Sequence, residues 1–166
     1  MKKRTAFIAA ILSLIPFGQP LLIKAGAVLS TTGLMLAVHE KVHANDAVFY
    51  YNRANEKFRN NDYYGAISDY TKAIEINPNY AKAFNNRGYV RRMNEDYYGA
   101  IADAIRAIEI NPNYGLAYAN LGTAKDLLGD IEGACADWKT AFDLRDQSTI
   151  DWFSGEGSSY CQKFNF

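Results

Sequence analysis

The chain has 166 residues, with 18 Lys+Arg against 18 Asp+Glu, a formal net charge of zero and two cysteines. That length allows one ordinary domain or a short repeat array. The charge is uneven: beyond Ala44, 13 Lys+Arg face 17 Asp+Glu, a net of −4. A mildly acidic balance withholds the basic footprint of bulk nucleic-acid binding, and a nucleic-acid partner is set aside.

Lys2, Lys3 and Arg4 open the chain ahead of an apolar run from Ala6 to Ile15, broken by Pro16 and the Gly18-Gln19-Pro20 turn. A second apolar run, Ala25 to Val38, leads into a polar boundary ending Val42-His43-Ala44. Basic start, apolar region and small-x-small boundary describe a secretory signal, with cleavage after Ala44 and Ala25-Gly26-Ala27 as a second boundary. Neither run reaches the roughly 20 residues of a spanning helix. Together they also suit a retained membrane anchor or re-entrant hairpin, so residues 1–44 are read as a signal peptide with an N-terminal anchor as the alternative. Either reading places the rest outside the cytoplasm, in a periplasmic or lumenal space. A soluble cytoplasmic extension is the third reading.

From Asp62 to Tyr80 the chain reads DYYGAISDYTKAIEINPNY, and from Asp96 to Tyr114 DYYGAIADAIRAIEINPNY, with fifteen of nineteen positions identical at an offset of 34 residues. A third copy, DIEGACADWKTAFDLRDQS, follows at the same offset from Asp130 to Ser148. Within the first copy Ala66, Ile67, Tyr70, Ala73 and Ile74 make one stripe on a helix of period 3.6. Proline at Asn77-Pro78 ends that helix. Val48 to Asn60 is also helical in pattern, and Asn60-Asn61-Asp62 reads as a tight turn. The unit is helix, turn, helix, linker, and only stacking against a neighbour buries its apolar stripe.

This pattern resembles the tetratricopeptide repeat family. Numbering a repeat from Ala47, the family's small eighth residue is Ala54, Gly88 and Gly122, and its twentieth-position alanine is Ala66, Ala100 and Ala134. The twenty-fourth-position aromatic is Tyr70 and Trp138, with Ala104 in the middle copy. The alanine at the twenty-seventh is Ala73, Ala107 and Ala141, and the proline at the thirty-second is Pro78 and Pro112. Aromatics hold the fourth position: Tyr50, Phe84 and Tyr118. The family often places Leu and Tyr at the seventh and eleventh positions. Here Arg53 and Arg87 hold the seventh, and Lys57, Arg91 and Lys125 the eleventh. The third copy reads Arg145-Asp146 in place of Asn-Pro. The resemblance implies an all-α right-handed α-solenoid of three helix-turn-helix repeats over 47–80, 81–114 and 115–148, within a domain of residues 45–148.

Residues 149–166 follow as a C-terminal cap and tail. Asp146 to Phe153 suits one or two helical turns, with Ile150, Trp152 or Phe153 covering the last repeat. Ser154 to Ser159 is a flexible break, and the aromatic tail YCQKFNF either packs back on the array or serves as a recognition tag. Cys135 takes the position held by Ile67 and Ile101, where a cysteine behaves as a small hydrophobe. An exported chain also permits a Cys135–Cys161 disulfide that clips the tail, and sequence leaves both states open.

Both histidines, His39 and His43, lie in the leader, so the remainder holds no Ser-His or Cys-His nucleophile pair. Asp62, Asp96 and Asp130 recur at the turn, and Asp69, Asp103 and Asp137 on the second helix. Identical placement in each copy marks structural or solvated carboxylates. No Gly-rich phosphate loop and no Cys/His metal cluster is present. The chain is therefore read as a non-enzyme with neither cofactor nor metal.

What remains is a surface. In the resembled family the first helix of each repeat lines a concave, peptide-binding groove. Carried onto this chain, that groove holds Tyr51, Asn52, Asn55 and Arg59, then Lys82, Asn85, Asn86, Tyr89 and Arg92, then Asn120 and Thr123. Asparagine donates to and accepts from an extended backbone. The second repeat's first helix is basic (Lys82, Arg87, Arg91, Arg92), which suits an acidic segment or chain terminus. A family subclass clamps a terminal carboxylate with Lys and Asn, then Asn, then Lys and Arg. Asn55 and Asn86 match that clamp, but Tyr51, Leu116 and Asn120 replace the rest. The implied role is a non-catalytic adaptor or assembly factor with a protein or peptide partner. A self-associating scaffold is the alternative.

Overall fold

A computed structural model describes residues 46–162, and residues 1–45 and the last four residues lie outside that range. The readings of residues 1–44 as signal or anchor fall there, as does the end of the tail. The described chain begins with helix α1 over residues 46–59. Then come α2 (Tyr63–Ile76), α3 (Ala81–Met93), α4 (Tyr97–Ile110), α5 (Gly115–Leu127) and α6 (Ile131–Asp143). These make three consecutive helix pairs, α1/α2, α3/α4 and α5/α6, stacked as a right-handed α-solenoid. Among the described residues no helix is long and apolar enough to cross a membrane.

Each pair turns by the same local chemistry. Asn61, Glu95 and Gly129 take positive φ of 60°, 64° and 84°. The aspartate that follows caps the next helix: Asp62, Asp96 and Asp130 each accept from the backbone N–H three residues on, at 2.9, 2.9 and 3.0 Å. That N–H belongs each time to a glycine (Gly65, Gly99, Gly133), where a Cβ would lie only 2.0 to 2.3 Å from the capping carboxylate. So the recurring turn aspartates are N-caps that satisfy otherwise orphaned amides. The linkers between repeats use a different device. Asn77 and Asn111 are extended, with φ −128° and −136°, as the following proline demands. Their side chains accept from the N–H of Asn79 and Asn113.

Where the third copy lacks Asn-Pro, the chain repeats its within-pair turn instead. Arg145 has φ 60°, and Asp146 accepts from the Thr149 N–H at 3.1 Å and its hydroxyl at 2.8 Å. This starts the capping helix α7 (Gln147–Trp152). The stretch read as a flexible break is instead wound. Phe153–Gly157 forms a wide helical turn kinked at Gly155, and α8 (Ser158–Cys161) follows. Gly157 is buried beneath Trp152. Cys135 of α6 and Cys161 of α8 form a disulfide with Cα atoms 5.6 Å apart, which holds the end of the chain on the last repeat.

Small residues let the helices close on one another. Ala54, Ala66 and Ala73 pack with Tyr70, Ala83 and Val90 in one cluster, and Phe84, Ala107 and Ala117 form another. Running through these contacts is a repeated ion pair. Asp69 and Asp103 are only 1% and 2% exposed. Asp69 is met by Arg53 at 2.7 Å and Lys57 at 2.9 Å, and Asp103 by Arg87 at 2.7 Å and Arg91 at 2.9 Å. Asp137 has Lys125 at 2.7 Å. The arginines and lysines at the seventh and eleventh positions are thus the partners of the twenty-third-position aspartates. Arg87 and Arg91, at positions that need not face the groove, are thus committed inside the repeat.

Candidate interaction surface

The first helices α1, α3 and α5 bring the groove positions into one row, and hydrogen bonds tie the row together. Asn86 Nδ2 donates to the Tyr51 hydroxyl at 3.0 Å and to Asn55 Oδ1 at 3.2 Å. Asn85 Nδ2 donates to Asn86 Oδ1 at 3.1 Å, and Asn120 Nδ2 donates to Asn85 Oδ1 at 2.9 Å. From behind, the buried Tyr70 hydroxyl donates to Asn55 Oδ1 at 2.5 Å. Burial pushes that phenol up to about 12, so it remains a donor at any ordinary pH. The sixth-position asparagine of one repeat therefore reaches the fifth-position side chain of the repeat before it, in both junctions.

The residues predicted to line the groove divide by exposure. Asn52, Arg59 and Lys82 are exposed, and Tyr51, Asn55, Asn86, Tyr89, Arg92, Asn120 and Thr123 are half-buried along the face. Asn85 is 2% exposed and belongs to the ladder beneath the surface. Thr123 donates to the Ala119 carbonyl at 2.9 Å. Arg92 lies over the Tyr89 ring, its guanidinium carbon 4.9 Å from the centroid. With Arg87 and Arg91 committed to Asp103, the basic character of this face rests on Arg59, Lys82 and Arg92. The two asparagines that match the terminal-carboxylate clamp are held by Tyr70 and Tyr51.

At its C-terminal end the face deepens into a pocket of about 620 Å³ lined by Asp126, Trp138, Trp152, Ser159 and Tyr160. A smaller one of about 240 Å³, lined by Ala119, Thr123, Trp138, Thr149 and Trp152, adjoins it through the shared tryptophans. Sequence reading missed this feature, because Asp126 and Tyr160 lie 34 residues apart and meet only once the tail folds back. The clue was the aromatic, cysteine-bearing tail itself. Among the described residues no group of three or more His, Cys, Asp or Glu side chains comes together as a metal site.

Two tetratricopeptide repeat models match the chain, over residues 47–80 and 69–102. Solved structures extend the likeness across the array. The first TPR of Spaghetti (RPAP3) bound to the HSP90 peptide SRMEEVD superposes with TM-score 0.66 at 22% identity, covering 74% of this chain and 96% of that one. The second TPR of the same protein, bound to the same peptide, gives 0.62 at 28% identity over 64% and 97%. The Arabidopsis OM64 TPR domain gives 0.66 at 21% identity over 73% and 98%. No curated protein matches the chain significantly. The fold and the repeats define a helical-repeat module of the protein-interaction class. Residues 47–102 are tetratricopeptide repeats, and the array as a whole shares the fold of that family.

Proposed function

We propose that the concave face binds an extended peptide segment of a partner protein, and that the chain acts as a non-catalytic adaptor or assembly factor. The observation that carries this reading is the asparagine–tyrosine ladder. It fixes a row of donors and acceptors across both repeat junctions before any ligand arrives, so little ordering entropy is lost on binding. An acidic segment fits the remaining basic groups, Arg59, Lys82 and Arg92, and the two Spaghetti domains are solved with a peptide ending in acidic residues. The proposed setting is extracytoplasmic, with residues 1–44 as a cleaved signal or a retained anchor. The Cys135–Cys161 disulfide supports an oxidising compartment.

The test is a screen of acidic and neutral heptapeptides against the oxidised protein. Retained acidic peptides should lose affinity by about tenfold in a Lys82→Glu, Arg92→Glu double variant, a change of about 1.4 kcal/mol. Undiminished binding by that variant removes the basic-face part of the proposal. A screen that retains no peptide removes the groove itself. A concentration-dependent oligomer by light scattering in that case would favour the self-associating scaffold.

A further inference from the structure

The pocket at the C-terminal end of the array has the chemistry of a cation site. Its three aromatic side chains stand as walls rather than as a flat stack. The Trp138 and Trp152 centroids are 4.5 Å apart with ring planes at 57°. Tyr160 stands 6.3 Å from Trp138 and 6.2 Å from Trp152, at 57° and 66°. A ring face carries negative quadrupole potential and attracts a cation within about 6 Å of its centroid. Asp126 adds a formal charge to the same wall. Its Oδ1 accepts from the Tyr160 hydroxyl at 2.8 Å. Among the described residues no Lys or Arg is paired with it, whereas Asp69, Asp103 and Asp137 each have one.

We propose that this pocket binds an alkylammonium cation, with Trp138, Trp152 and Tyr160 enclosing the head group and Asp126 supplying the counter-charge. Rings inclined to one another enclose a rounded, tetrahedral head, whereas a planar guanidinium stacks on one face. The volume of about 620 Å³ exceeds a trimethylammonium head and leaves room for the chain that carries it. That chain belongs either to a free small molecule such as choline or to a lysine side chain, methylated or not, of a protein. Both present the same group to the pocket. The proposal stands on the pocket alone and does not depend on peptide binding in the groove.

The experiment is a tryptophan-fluorescence titration of the oxidised full chain with four probes. These are choline, acetyl-lysine amide acylated only on its α-nitrogen, its side-chain trimethylated form, and the neutral isostere of choline in which carbon replaces the quaternary nitrogen. A saturable signal from at least one ammonium probe is expected, with the neutral isostere weaker by about tenfold. The tighter of the choline and lysine arms names the source of the cation. Asp126→Asn, checked for unchanged helix content, should weaken the ammonium probes by about tenfold, while Tyr160→Phe, which keeps the ring, should bind nearly as well. Equal binding of choline and its neutral isostere would make this an apolar pocket and overturn the proposal. So would the absence of saturation by any ammonium probe at millimolar concentration. Both comparisons use the unaltered protein, so they hold even where a variant fails to fold.

Discussion

Arg87 and Asp103 form a two-pronged ion pair across the helices of the second repeat, Nε to Oδ2 at 2.9 Å and Nη2 to Oδ1 at 2.7 Å. Arg53 and Asp69 repeat it in the first, with both contacts at 2.7 Å. A planar guanidinium matches a carboxylate bidentately, and here the fork locks the angle between paired helices. Removing one partner strands the other in a water-poor site. Asp103→Ala should therefore destabilise the array by about 3–5 kcal/mol, read by urea denaturation. Replacing Arg87, Arg91 and Asp103 together by apolar residues of similar size should cost much less. Equal losses from both substitutions would show that packing rather than the stranded charge sets the penalty.

Acid should loosen the first repeat ahead of the third. The Arg53 hydrogen bond, opposed by burial and aided by Lys57, lowers Asp69 from 3.8 to about 2. A folded-state value below the unfolded one gives stability that is complete above about 3.8 and lost as pH falls toward about 2. Asp137 shifts the other way, raised chiefly by burial, with Lys125 opposing. Its burial therefore costs stability as pH rises past the unfolded carboxylate value, and acid relieves that cost. Hydrogen exchange between pH 5 and pH 2 should show α1 and α2 losing protection before α6, and Asp69→Asn should flatten that response. Loss of protection in α6 first would contradict the assignment.

The array was legible because the repeat puts the same chemistry at the same offset three times. Period, helix stripes, turn aspartates and the alanine crossings all follow from local pattern. The inward role of Arg53, Arg87 and Arg91 was not legible. A basic residue on a helix reads as surface until the partner, sixteen residues on for Arg53 and Arg87 and twelve for Arg91, is folded against it. Read together, the recurrence of Arg or Lys at the seventh and eleventh positions with Asp at the twenty-third was the available signal. The winding of Ser154 to Ser159 was hidden for a different reason. Glycine and serine composition favours open chain, whereas Trp152 above Gly157, the Tyr160–Asp126 hydrogen bond and the Cys135–Cys161 bond, all non-local, favour the wound form.

Gly122 and Gly88 occupy the same repeat position but should not tolerate alanine equally. At Gly122 a Cβ would lie 2.8 Å from the Trp138 ring and 2.9 Å from the Ala134 carbonyl oxygen, while at Gly88 the nearest atoms are 3.1 Å away. Trp138 also donates to the Ala119 carbonyl at 3.3 Å, so the indole cannot retreat without losing that bond. Gly122→Ala should cost about 1–3 kcal/mol, and Gly88→Ala less, because a shift of a few tenths of an ångström suffices. Calorimetry on the two variants compares them directly. A larger loss at Gly88 would mean that the third repeat yields more readily than its packing indicates.

Reduction of Cys135–Cys161 should act locally, at the end that carries the aromatic pocket. The bond spans a sequence separation of 26 residues, and closing a loop of that size restricts the unfolded chain by about 3 kcal/mol. In a solenoid each unit contacts mainly its neighbours, so the loss should fall on α6, α7 and α8 and spare the first two repeats. Tyr160 precedes Cys161 directly, and without the bond its position rests on the Asp126 hydrogen bond and ring contacts. Cys161→Ser should therefore lower protection in the C-terminal helices and weaken pocket ligands. The N-terminal groove should bind its peptides as before. Hydrogen exchange of the oxidised, reduced and Cys161→Ser proteins separates these regions. Uniform loss across all three repeats would show that the disulfide stabilises the array as one cooperative unit.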